Sequence, residues 1–312
     1  MREPNRTKSQ FSKSSNNQQK SLQSVVEYAP GFEEDDGLRS EYIRKLTLQQ
    51  LWPNKGSISA RKLTDKKSAI PRTLVRFWHD DRNVPDDVRR CLDSWNTLRD
   101  EGFAFRLFGD ASATDYIADR YGSRELAAFK SCWHPAMRSD YLRLCYILAD
   151  GGLYVDADDF LLRDGWKRVF NDDRLKIQPL CYDVKANGMV ATPELRRPDL
   201  PTDERIFYVN NNPIAASPGH PVLERALTRA TNRLLAGDPA PEIQSTTGPG
   251  NLTAALAAYA RNTHTPDFEL LFDWEDTAEP RWDLAYRNDS RNWRNIDWDH
   301  SAGMDRNFGE SQ

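Results

Sequence analysis

The chain has 312 residues, of which 38% are hydrophobic, enough for one large α/β domain with extensions. A mean hydropathy of −0.76 predicts a soluble protein with a polar portion, and no apolar run reaches the length of a transmembrane helix. A net charge of −4 and a pI near 5.8 argue against a nucleic-acid-binding protein, which is usually basic.

Residues 1–37 are rich in Ser, Asn, Gln, Lys and Glu and cannot bury much apolar area, so disorder is expected. No signal-peptide core follows Met1. Residues 38–69 read as a helical extension and linker. Leu38, Tyr42, Ile43, Leu46 and Leu51 recur at helical spacing, and residues 54–69 are polar and basic. The folded domain is expected over residues 70–300, with residues 301–312 a fraying tail. Thr73 to Trp78 is a β-branched and aromatic run, hence a first strand. Residues 85–99 carry Val88, Cys91, Leu92 and Trp95 on one helical face. Residues 103–108 alternate as a second strand, and residues 111–121 form another helix. Strand–helix–strand–helix opens a doubly wound parallel sheet.

Residues 134–150 read as a helix opened by Pro135, with Met137, Tyr141, Leu144, Cys145 and Leu148 on one face. Asp140 and Arg143, three apart, are neighbours on that helix. Gly151-Gly152 stops it, and Leu153-Tyr154-Val155 is a short strand that delivers Asp156, Asp158 and Asp159 to its carboxyl end. Ligands of α/β sheets collect there. Three such carboxylates repel one another unless they are solvated or held by a hard cation. Mg²⁺ and Mn²⁺ prefer oxygen ligands and also bind phosphate oxygens. The plainer alternative is an acidic surface turn.

Residues 161–180 are less regular. Residues 204–209 read as a strand ending at Asn210-Asn211-Asn212, and residues 218–235 as a helix. Thr246 to Gly250 is a turn opening a helix over 252–259, and residues 268–272 are a late strand. The four cysteines, Cys91, Cys132, Cys145 and Cys181, lack CxxC spacing and predict reduced, partly buried thiols.

Ser139-Asp140-Tyr141-Leu142-Arg143 followed by Gly151-Gly152-Leu153-Tyr154-Val155-Asp156-Ala157-Asp158 resembles the signature of DXD-containing sugar transferases of the glycosyltransferase family 32 type, which is related to the glucosylating clostridial toxins. The resemblance implies a GT-A fold, a Rossmann-like α/β architecture with a mostly parallel central sheet and additional helices. It implies a UDP- or GDP-hexose donor, Mn²⁺ or Mg²⁺ as cofactor, and retaining transfer of a hexose to an unnamed polysaccharide, glycolipid or protein. By the same resemblance Arg143, Asp156 and Asp158 are the catalytic set. Asp140 bonds sugar hydroxyls, Arg143 contacts sugar or diphosphate, Asp156 contacts ribose and sugar, and Asp158 binds the metal. Tyr154 is placed to line the donor pocket.

Ile70-Pro71 through Trp78 resembles the family's opening strand, in which the tryptophan stacks on the nucleotide base. Val75 stands where many members carry His. Asn212, with Ala216-Ser217, resembles an N-x-x-x-A-S segment and suggests substrate binding. Thr247-Gly248-Pro249 resembles a T-G-P turn on the acceptor side, and His300 would complete the metal site with Asp156 and Asp158. Each has a plain structural counterpart: a core aromatic, a strand end, a turn, or an exposed Asp140–Arg143 pair worth about 0–1 kcal/mol. His79 and His134 read as structural.

Two other function classes compete. A phosphatase of the haloacid-dehalogenase type also uses DxD at a strand end, but Phe160 stands where it wants Thr or Val. A catalytically inactive sugar-nucleotide-binding relative is the other. The expected setting is a cytoplasmic, bacterial enzyme without an integral membrane segment, or a secreted effector lacking a conventional signal peptide.

Overall fold

The structure is a computed structural model that describes residues 28–52, 69–238, 240–263 and 267–295. The chain divides into two compact units, residues 1–30 and Gly31–Gln312. Of the first, residues 28–30 are described and lead into a turn. The expected disorder of residues 1–27, most of the linker, the tail at 301–312 and His300 lie outside the described residues.

In the second unit a 3₁₀ turn at Phe32–Glu34 leads to α1 (Asp36–Leu51), where the sequence suggests disorder up to residue 37. Asp35 caps α1, accepting from the Leu38 amide at 2.8 Å. The helix buries a mixed face of Ser40, Tyr42, Ile43, Arg44 and Thr47, and leaves Leu38 exposed. β1 (Thr73–Phe77), α2 (Asp86–Ser94), α3 (Thr97–Asp100) and β2 (Ala104–Phe108) follow. The helix expected over 85–99 breaks at Trp95, which is fully buried and donates from its indole to the Asp159 carbonyl at 3.0 Å.

α4 (Asp110–Arg120), α5 (Ser123–Lys130), α6 (Pro135–Asp150), β3 (Gly152–Tyr154) and β4 (Asp159–Leu161) come next. The chain continues through β5 (Leu175–Asp183), β6 (Gly188–Met189), α7 (Thr192–Leu195) and β7 (Arg205–Ala216). α8 (Pro221–Leu234), α9 (Ile243–Thr246), α10 (Pro249–Ala260), β8 (Phe268–Leu270) and β9 (Ala278–Pro280) complete the described elements.

The main sheet runs β2-β1-β3-β7-β5-β6, with β8 also on β5. β1 is parallel to β2 and β3, and β8 is parallel to β5. β7 is antiparallel to β3 and β5, and β6 to β5. β2, β1, β3, β5 and β8 therefore share one direction. The result is an α/β fold with a mixed, mostly parallel sheet and flanking helices, consistent with GT-A architecture. No described helix is long and apolar enough to cross a membrane. All four cysteines are free and buried.

Two features place the site. β3 pairs with β7 so that Tyr154 faces Ile214, which brings Asp156, two residues on, over Asn212. The Gly151-Gly152 stop lets α6 pass directly into β3. Gly152 has φ +120°, and a Cβ there would lie 2.8 Å from the Thr73 carbonyl oxygen of the neighbouring strand. Gly152→Ala is therefore expected to cost about 1–3 kcal/mol in backbone strain alone, before the clash. Urea unfolding against wild type checks this.

Candidate functional site

α6 is amphipathic in pattern yet buried almost all round, with Ser139, Asp140 and Arg143 enclosed along with its apolar residues. Its first turn is capped by His134, whose Nδ1 accepts from the Ala136 amide at 3.1 Å while Nε2 meets the Ser290 carbonyl at 3.0 Å. That geometry needs the neutral Nε2–H form. Burial lowers the His134 pKa, in keeping with that form and with a structural role.

Arg143 is the hub. Its side chain is 4% exposed, and Nη2 lies 3.0 Å from Asp140 Oδ1 and 2.9 Å from Asp156 Oδ1. Nη2 also donates to Ser139 Oγ at 3.0 Å, and Nη1 to the Asn211 carbonyl at 2.7 Å. The guanidinium lies over the Tyr154 ring, 4.2 Å from its centroid. Burial opposes its charge, but Asp156, Tyr154 and Asp140 outweigh that and raise the arginine's pKa, so it stays cationic. The Asp140–Arg143 pair is thus enclosed and charge-bearing, not an exposed helix pair.

Asp140 is buried at the cavity wall, its side chain 9% exposed. Oδ1 accepts from Asn211 Nδ2 at 2.8 Å and Oδ2 from Thr247 Oγ1 at 3.3 Å. Burial pushes its carboxyl up from 3.8 to about 6, against the pull of Arg143. Asp156 Oδ1 also accepts from the Tyr154 hydroxyl at 3.2 Å, and the Asp156 amide donates to Asn212 Oδ1 at 3.1 Å. Tyr154 is fully buried beneath Arg143, with its hydroxyl 2.7 Å from Ser139 Oγ, so it supports Asp156 from below. Asn212 bridges Asp156 and Asp159, donating to Asp159 Oδ2 at 2.9 Å.

Asp159, the extra carboxylate beside the DXD pair, which from sequence either supports that pair from behind or is solvated, opens β4 and is buried. Burial and then the charges of Asp158 and Asp156 raise its pKa well above the usual range. Its Oδ1 is buried without a hydrogen-bond partner among the described residues.

Asp158 faces the other way. Its Oδ2 accepts from the Tyr286 hydroxyl at 2.5 Å and forms an ion pair with Arg287 Nη2, both side chains being 13% exposed. Trp78 is 7% exposed at the end of β1, with the Tyr286 ring edge-on at 5.2 Å and Arg291 5.9 Å above its centroid. Its indole Nε1 is buried without a partner. Trp78, Asp140, Arg143, Asp156, Asp158, Asn212 and Arg287 line one cavity of about 1330 Å³ at the carboxyl ends of β1 and β3. That volume exceeds the roughly 300–1,000 Å³ of ordinary small-molecule sites.

The described residues do not fit a resident divalent ion. Among the described residues no three His, Cys, Asp or Glu side chains gather to hold a metal. Asp156 and Asp158, expected as ligands, are each satisfied by an arginine on opposite sides, and His300 lies outside the described residues. Arg287, ion-paired to Asp158, already supplies positive charge there.

Sequence reasoning missed Asn211, Tyr286 and Arg287. Asn211 sat in a run read as a strand end. Arg287 reaches Asp158 across 129 positions, and only its tryptophan-rich neighbourhood set that stretch apart.

Residues 83–176 match the family described as a glycosyltransferase sugar-binding region containing a DXD motif. That span includes Asp140, Arg143, Asp156 and Asp158 and excludes Trp78 and Arg287. The chain is 23% identical over 274 residues to the initiation-specific alpha-1,6-mannosyltransferase of Saccharomyces cerevisiae, covering 80% of this chain and 49% of that protein. It thus spans about half the length of that curated relative. A solved structure, the PaToxG glycosyltransferase, matches 72% of this chain and 78% of its own at 13% identity, with a TM-score of 0.40. DXD transferases often bind a divalent metal, which sets the arginine-satisfied carboxylates here apart. The family match and the sheet topology give a glycosyltransferase-like fold with a DXD region, akin to DXD sugar transferases broadly.

Proposed function

We propose that the protein transfers a hexose from a nucleotide-diphosphate sugar to an acceptor, with retention at the anomeric carbon. The observation that supports this most is the convergence of Asp140 and Asp156 on the buried Arg143 at the wall of the large cavity. Motifs thirteen residues apart in sequence thereby form one charged network.

In this reading the sugar–oxygen bond to the diphosphate breaks and the leaving diphosphate gains negative charge. A fixed guanidinium in a site screened from water lowers the energy of that charge without reorganising. Arg143 serves this role, since its pKa is raised and it is held on several sides. Asp140 and Asp156 accept from sugar and ribose hydroxyls. Asn212 and Tyr154 fix Asp156, and Trp78 offers its ring to the base.

Nucleotide release from a panel of UDP- and GDP-hexoses tests the proposal. Asp156→Asn is expected to lower release by roughly a hundredfold or more in a protein that remains folded. Full activity in that variant would sink the reading, and phosphate release from a simple phosphomonoester would favour the phosphatase.

A second reading, a sugar-nucleotide-binding relative that does not turn over, has one specific support. Asp158 is closed off by Tyr286 and Arg287. Donor binding without release of nucleotide would be its result.

A further inference from the structure

The two aspartates of the DXD motif are treated alike by the fold. Asp156 meets Arg143 from α6 beneath it, and Asp158 meets Arg287 from the C-terminal segment above it. Arg287 is built into its position. Its Nε donates to the Arg281 carbonyl at 3.2 Å, and its guanidinium lies 4.2 Å from the Trp282 ring centroid. Its own carbonyl accepts from Asn292 and Asn295 side-chain amides, each at 2.8 Å. Tyr286, next to it, joins Asp158 on one side and packs against Trp78 on the other.

Arg287 Nη1 has no hydrogen-bond partner among the described residues, and the side chain lines the cavity that also holds Trp78 and Asp156. A planar fork with one nitrogen on a carboxylate and the other free is suited to a phosphate oxygen. The segment therefore puts a fixed positive charge where a DXD motif would otherwise gather a metal.

We propose that Arg287 is the second cation of this site, beside Arg143: fixed on Asp158, it receives the diphosphate of the nucleotide, so that nucleotide binding needs no divalent metal. The proposal rests on the donor reading above and specifies how the diphosphate is held.

Calorimetric titration of the full chain with UDP and with GDP, in EDTA and in Mn²⁺, tests it. One nucleotide is expected to bind in EDTA within about threefold of its affinity in Mn²⁺, because a charge-assisted bond already serves the diphosphate. Arg287→Ala is expected to weaken binding in EDTA by about tenfold to a hundredfold, with Arg287→Lys weakened less. Electron paramagnetic resonance of added Mn²⁺ supplies a reading independent of nucleotide. Wild type should leave the ion free, and Arg287→Ala, with Asp158 released, should take it up.

Nucleotide binding that requires Mn²⁺, or tight Mn²⁺ uptake by wild type, would overturn the role of Arg287 and leave the donor reading standing. If neither nucleotide binds under either condition, the donor reading falls and the role of Arg287 falls with it. If the alanine variant does not fold, the wild-type comparison in EDTA and Mn²⁺ decides alone.

Discussion

Arg143→Ala is expected to lose about 3–5 kcal/mol of stability and, with it, nucleotide binding. The side chain is enclosed, and it is the shared partner of two carboxylates, a serine hydroxyl and a backbone carbonyl. Removing it leaves Asp140 buried beside Asp156 with no countercharge, and removing one member of a buried pair costs far more than the pair contributes. It also empties the space above the Tyr154 ring. Arg143→Lys keeps the charge. A single ammonium cannot span Asp140, Asp156 and the Asn211 carbonyl as the planar fork does, so partial stability and weak binding are expected. Urea unfolding together with nucleotide titration checks both variants. An alanine variant as stable as wild type would show that the network is not a structural keystone, and retained nucleotide affinity would remove Arg143 from the site.

What the sequence disclosed and what it hid follow from the range of the interactions involved. α6, Gly151-Gly152 and β3 are local: a helical period, a glycine stop with positive φ and a three-residue strand are each written in adjacent residues. The pairing of Asp140 with Arg143 needed only one helical turn. β5 and β7 were obscured because a polar lining interrupts their alternation. Lys176 is buried on β5 only because Asp172 and Glu269 meet its ammonium, each at 2.6 Å. β7 runs through Asn210, Asn211 and Asn212 to Ala216, because the Asn211 and Asn212 amides are satisfied by carboxylates of the site and the Asn210 amide donates to the Asn212 carbonyl. A polar run that looks like a strand end is here the middle of one. Arg287 lay furthest from view, since no period or spacing links residue 287 to residue 158. Only the fold makes them partners.

Asp140→Asn should separate function from stability. The native carboxyl is raised from its ordinary 3.8 to about 6, because burial outweighs the help of Arg143. The folded protein therefore keeps a proton that the unfolded chain gives up. Stability from this group is fully present below the unfolded value and is lost as pH rises through the folded one. The two values differ by about two units, which amounts to about 3 kcal/mol of penalty at pH 7. Asparagine removes that penalty and keeps the shape. Its oxygen can accept from Asn211 Nδ2 and its amide can donate to Thr247 Oγ1, the two uncharged partners the carboxylate has now beside Arg143. Arg143 keeps Asp156 at 2.9 Å as its countercharge. The variant is thus expected to be as stable as wild type at pH 8 or more so, by up to about 3 kcal/mol, and to lose the fall in stability between about pH 4 and 7. Nucleotide release should drop by roughly a hundredfold, because a neutral amide accepts more weakly from sugar hydroxyls than a carboxylate does. Thermal unfolding of both proteins at pH 5 and pH 8 reads the first effect, and the donor panel reads the second. A variant destabilised as far as Arg143→Ala at pH 8 would make Asp140 a structural countercharge. A variant both stable and fully active would take it out of the sugar site.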